Sequence, residues 1–144
     1  MRDLISNLGA KIALPSAAYG ADNTPAAIDI RGFDGAALLI HIGVGGITFT
    51  DTNKVEFKLT HADEEAGSYA AVALADVQGV DAVGTGGIVK TLNAAHASPT
   101  LTKIGYAGGK GFLKLLADFG GSHASPTPMG ATLVLGHPRT APVA

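Results

Sequence analysis

His61-Ala62-Asp63 is the stretch whose residue types and spacing come nearest to a reactive centre. An imidazole and a carboxylate two positions apart match the two proximal ligands of a non-haem iron facial triad. His96, His123 or His137 would then supply the distal ligand, and Arg139 would anchor an acidic co-substrate. Such a pair arises readily by chance among five histidines and nine aspartates. His-x-His, the opening of a cupin metal site, does not occur. The favoured reading is a turn aspartate beside an edge-strand histidine, with no metal held.

The other clusters carry less. Gly43-Val44-Gly45-Gly46-Ile47-Thr48 begins like a dinucleotide fingerprint, but Thr48 stands where the third glycine must be. Around Gly109-Lys110 the chain looks like a phosphate loop, yet Ile104 replaces the first glycine and Gly111 the magnesium-binding Ser or Thr. Tight β-turns account for both. Nucleophilic catalysis has neither a cysteine nor a Gly-x-Ser-x-Gly elbow to use. Asp63, Glu64 and Glu65 crowd one turn, whereas the acid and base of a glycosidase face each other across a cleft. Tyr69, Tyr106, Phe112 and Phe119 read as core rather than a stacking platform, since no cations cluster beside them. The residues thus predict no catalytic group, no metal and no cofactor.

The elements that would position these groups are strands. Along residues 54–61, Val55, Phe57 and Leu59 alternate with Glu56, Lys58 and Thr60, the two-residue period of a half-buried strand. The polar run 63–68 and the climb through 69–77 (a short helix being the alternative there) complete an expected hairpin. Residues 36–44 are apolar on both faces and predict a central strand covered from both sides. Residues 28–31 and 88–92 read as short strands, and 131–135 as the last strand. A second hairpin is expected over 101–119, turning at Gly108-Gly109-Lys110-Gly111, with Leu113, Leu115, Ala117 and Phe119 on one face. About eight strands with Gly- and Pro-rich turns predict an all-β, jelly-roll-like β-sandwich over residues 28–135. Residues 1–27, punctuated by Pro15, Gly20 and Pro25, and residues 136–144 are expected to be extended arms.

Composition narrows the partners. The chain has 144 residues, enough for one domain with a real core. It is 47% hydrophobic, but 25 residues are Ala and 20 are Gly, so the apolar area per residue is small. Some stability is therefore expected from partners. A net charge of −2 gives no basic field for nucleic acid. No apolar run approaches the ~20 residues that span a bilayer, and the acid at Asp3 argues against a secretory leader. A reducing, aqueous compartment is expected.

Six stretches in order carry a resemblance. Met1-Arg2-Asp3-Leu4 opens the chain, and Ile28-Asp29-Ile30-Arg31-Gly32-Phe33 follows. Phe57-Lys58-Leu59-Thr60-His61-Ala62-Asp63 leads to Val72-Ala73-Leu74-Ala75-Asp76-Val77-Gln78-Gly79. Gly105-Tyr106-Ala107-Gly108-Gly109-Lys110 precedes the closing Val134-Leu135-Gly136-His137-Pro138-Arg139-Thr140-Ala141-Pro142. Together they resemble the small cement (decoration) proteins of tailed double-stranded DNA bacteriophages, of the Bordetella phage type. An Arg-Tyr pair of that family's pattern is replaced here by Gly111-Phe112.

The resemblance implies a jelly-roll-like domain, made in the bacterial host cytoplasm, that dimerises on the outer capsid surface of the virion. There it would tie neighbouring major capsid proteins together against internal DNA pressure, without nucleic-acid or membrane contact. It offers no catalytic residues. Arg2, Asp3, Leu4, Ile5, Tyr19, Tyr106, Lys110, His137, Pro138 and Arg139 are the expected capsid- or partner-binding residues. Arms at both ends can add to a neighbour's sheet edge, and their prolines reduce the entropy lost on docking. A surface-displayed carbohydrate-binding jelly roll is the alternative, and an iron oxygenase built on His61 and Asp63 the more remote one.

Overall fold

A computed structural model describes residues 3–143. It is 50% strand and 4% helix, and the strands form two antiparallel sheets packed face to face. In chain order the strands are β1 (Gly9–Tyr19), β2 (Ile28–Asp29), β3 (Phe33–Ile42), β4 (Lys54–Ala62) and β5 (Ala70–Ala71). They continue with β6 (Val77–Gln78), β7 (Ile88–Leu92), β8 (Thr100–Tyr106), β9 (Phe112–Gly120) and β10 (Thr127–Pro138). The first sheet runs β1-β10-β3-β8-β6. The second runs β2-β9-β4, and the far edge of β4 is shared by β7 and β5.

Burial follows the two-residue period. Val55, Phe57 and Leu59 of β4 are sealed against the first sheet, as are Leu113, Leu115 and Ala117 of β9. Facing them are Leu38, Ile40 and Ile42 of β3, Leu133 and Leu135 of β10, and Ile104 of β8. Opposite these inner rows, Glu56 of β4 sits across from Asp118 of β9. It bonds Lys54 at 2.5 Å, while Lys58 bonds Asp118. The outer face of the second sheet is therefore a charge ladder.

Several expectations change. The β4 hairpin forms, but its pairing is confined to Thr60↔Ala71 and His61↔Ala70. Beyond it the chain makes a 3-10 turn (Leu74–Asp76) and crosses to the first sheet as β6. The expected hairpin over 101–119 does not form. β8 pairs with β3, and β9 pairs with β4 in the opposite sheet. Its glycine turn carries the chain across the end of the sandwich, from β8 beside β3 to β9 beside β4.

The two arms are corrected as well. Residues 9–19 form β1, an edge strand that pairs with β10 and buries Leu14. The C-terminal segment is integral too: β10 extends through Pro138, which pairs with Phe33. Finally, β3 is central but covered on one side only. Its inner residues are buried, whereas Ala37 and Leu39 remain half-exposed and His41 exposed on the outer side.

Every connection except β4–β5 passes from one sheet to the other. Gly87 shows how tightly the loops are fitted. At positive φ it accepts the Leu59 N–H at 2.9 Å, and a Cβ there would run into the Leu59 carbonyl.

Candidate functional site

Three segments meet at the end of the sandwich where β3 begins and β8 and β10 finish: the β2–β3 turn, the β8–β9 loop and the chain after β10. They enclose a cleft of about 380 Å³ lined by Arg31, Asp34, Tyr106, Lys110 and Arg139 among others. β2 ends at Asp29 and Arg31 opens the turn that follows, where the Arg31 backbone N–H donates to the Asp29 carboxylate at 3.0 Å. Arg31 Nε and Nη2 donate to the Asp29 carboxylate at 2.9 and 2.8 Å. That hydrogen-bonded guanidinium holds the Asp29 carboxyl well below its ordinary value, at about 2. The same contact raises the pKa of Arg31, whose guanidinium lies 4.7 Å over the Phe112 ring.

Arg139 is placed by its backbone, whose N–H donates to Gly32 O at 2.8 Å. Its Nε and Nη2 both reach one oxygen of Asp34 at 2.8 Å. Lys110 Nζ donates to Asp63 at 2.6 Å, and the Lys110 N–H donates to the Tyr106 hydroxyl oxygen at 3.2 Å. Tyr106 Oη also lies 2.8 Å from His61 Nδ1. Burial pushes the Tyr106 hydroxyl pKa up. His61, Tyr106, Lys110 and Asp63 thus form one circuit that ties β4, β8 and the β8–β9 loop together.

The circuit engages His61 and Asp63 separately. His61 is buried and its Nδ1 is taken by Tyr106, whereas Asp63 is exposed and bound to Lys110. His96 and His123 sit at the opposite end, bonded through Nε2 to Gly43 O and Gly120 O at 2.8 Å each. Among the described residues no three His, Cys, Asp or Glu side chains converge on a point that would hold a metal ion.

The expected partner residues separate into groups. Tyr106, Lys110 and Arg139 meet in the cleft. His137 and Pro138 lie beside it at the close of β10, His137 at φ 52°. Asp3, Leu4 and Ile5 belong to the same end: the Asp3 carboxylate accepts the Ser6 N–H, and Val143 N–H donates to Ser6 O at 2.9 Å. Leu4 and Ile5 are 68% and 78% exposed. Tyr19 lies at the other end, its hydroxyl donating to Pro15 O. Arg2 falls outside the described residues.

Sequence reasoning missed Arg31 and Asp34 as cleft residues. The Asp29-x-Arg31-Gly32 run was the available signal for Arg31, since an Asp side chain bonds the backbone two residues on where a chain turns.

A second surface lies on the outer face of the first sheet. Ile12, Thr132, Leu39 and Lys103 stand opposite one another across β1, β10, β3 and β8, with Gly130, His41 and Leu101 in the next row. All of these except Lys103, together with Ser16, line a depression of about 410 Å³. Ile12 is 71% and Leu101 65% exposed.

What fold and surfaces define is an antiparallel β-sandwich with a cleft at one end, bordered by three ion pairs, and one largely apolar outer face. No protein-family model matches the chain, and neither a curated protein nor a solved structure does.

Proposed function

We propose that this protein is a structural component of a virion, a cement protein that binds the outer surface of an icosahedral phage capsid. One observation carries the reading. β3 is apolar on both sides, but the chain itself covers only one, leaving Ile12 and Leu101 exposed beside Leu39 while the opposite outer face is charged. Scattered exposed aliphatics are ordinary on a protein surface, but a contiguous apolar face suits a partner. In this reading the major capsid protein covers that face, and a second copy of the chain shares the contact in a homodimer on the shell.

The ordered resemblance in sequence supports the same role. The two strand orders, with the chain crossing between sheets at almost every step, support a jelly-roll-like arrangement. Many copies on a closed shell act together, so modest contacts suffice. Binding to assembled shells alone stabilises them by mass action.

The test is co-sedimentation of purified protein with shells that lack it, followed by heating. Bound protein and a raised disruption temperature are expected. Shells that remain bare and equally fragile at saturating protein would end the proposal. Terminal truncations belong before β1, because Leu14 is core; loss of residues 1–7 is expected to weaken binding while the domain stays folded.

A further inference from the structure

The outer face of the first sheet carries charge of one sign only. Strand register lays the face out in rows. Ala10, Val134, Ala37 and Gly105 form one row, closed by Gln78 of β6, whose side chain lies against Gly105. Ile12, Thr132, Leu39 and Lys103 form the next, and Gly130, His41 and Leu101 the one after. None of these positions holds a carboxylate, although the chain has 12 Asp and Glu and a net charge of −2.

Lys103 and His41 are the two basic residues in these rows, and both are exposed. They stand on adjacent strands as diagonal neighbours, which places such residues roughly 7–8 Å apart. No described residue gives the Lys103 ammonium or the His41 ring a hydrogen bond or an ion pair. The opposite outer face differs, since Lys54 and Lys58 are paired there with Glu56 and Asp118.

This distribution selects the occupant. Covering Leu39, Ile12 and Leu101 takes water from the ammonium beside them, and a desolvated charge without a counter-charge is costly. A second copy laid on the face would bring the same basic groups and no acid, because an isologous contact presents one patch from both sides. A purely aliphatic surface would leave both groups unanswered. We infer, on the reading in which the capsid shell covers this face, that the shell presents an apolar patch bearing a carboxylate opposite Lys103 and His41. A second copy of the chain then sits beside the face rather than across it. The aliphatics supply the burial, while the ion pair at the rim fixes orientation and speeds encounter.

The test measures co-sedimentation of the full-length chain with shells that lack it, over a range of sodium chloride concentrations. Binding is expected to weaken as salt rises. Lys103→Gln is expected to bind about fivefold more weakly, the upper end for an exposed ion pair, and with a flatter salt dependence. Lys103→Arg keeps the affinity. Lys103→Glu sets two carboxylates against each other and loses more than Lys103→Gln, whereas His41→Gln, which keeps a donor, loses less. Lys90→Gln, on β7 in the other sheet, leaves binding unchanged, and matching thermal melts establish that each variant is folded.

Equal binding by Lys103→Gln and wild type, with Ile12→Ser/Leu101→Ser still losing the shells, would overturn the carboxylate and leave the covered face standing. That is the outcome for a lysine that only guards a strand edge against pairing. Tighter binding by Lys103→Glu would overturn it too. A dimer of the free chain in sedimentation velocity, lost in Ile12→Ser/Leu101→Ser, would put a second copy on the face and overturn the choice of occupant. Shells left bare by the wild-type chain would end this inference and the capsid reading together.

Discussion

Tyr106 is the residue on which the cleft end depends. Its hydroxyl accepts the Lys110 N–H and contacts the buried His61 Nδ1, so one oxygen serves two otherwise unpartnered groups. Tyr106→Phe keeps the packing but leaves both polar atoms without that partner, which costs about 1–3 kcal/mol. A lower urea midpoint at unchanged m-value is the expected result, and an unchanged midpoint would show the circuit to be idle. The pH dependence has a definite sign. Burial raises the hydroxyl pKa in the folded chain, so the neutral form is the one the fold favours. That contribution is whole below the unfolded tyrosine value of about 10 and is lost as pH climbs through the higher folded value. Tyr106→Phe is therefore expected to flatten the alkaline decline in stability measured against wild type.

At the scale of elements, the exposed edge of β9 shows how the sandwich avoids sticking to itself. β2 pairs only with Phe112 and Leu113. Past that point side chains replace the strand: Asn23 Nδ2 donates to Leu115 O at 3.1 Å, Asn23 Oδ1 accepts Ala117 N–H at 2.7 Å, and Asp22 accepts Phe119 N–H at 2.7 Å. Open strand edges template pairing with other chains. Asn23→Ala is expected to cost about 1–3 kcal/mol and to speed amide exchange at Ala117; unaltered exchange there would mean that the edge is protected by something else. Much of this architecture was readable from periodicity. The alternation through Val55, Phe57 and Leu59 identified β4, and residues 88–92 coincide with β7. What periodicity does not carry is partnership. Gly108-Gly109-Lys110-Gly111 turns the chain equally well within a sheet or across the sandwich, so β8 and β9 read as a hairpin although they belong to different sheets. Pro15 and the small residues around it masked β1, whose bulged pairing with β10 blurs its alternation. In the cleft, Tyr106, Lys110 and Arg139 were legible singly. Their meeting with Arg31 depends on loop crossings that no local pattern encodes.

For the molecule as a whole, the consequence lies in the two unlike outer faces. Lys54, Glu56, Lys58 and Asp118 make the second sheet's outer face self-sufficient in water. The first sheet's outer face has Ile12, Leu39 and Leu101 around a depression, with Lys103 and His41 at its margins. If that face exists to be covered, its aliphatics matter to assembly far more than to folding. Ile12 and Leu101 are mostly exposed, and surface substitutions of this kind change stability by about 0.5 kcal/mol or less each. Ile12→Ser/Leu101→Ser is accordingly expected to melt within a few degrees of wild type yet to lose co-sedimentation with shells. Lys54→Ser/Lys90→Ser, which alters the charged sheet by as many residues, is expected to retain it. The contrast between the two variants is the informative quantity, because a general loss of solubility or fold would lower both. Equal shell binding by the Ile12/Leu101 variant and wild type would mean that the apolar face is not the contact surface.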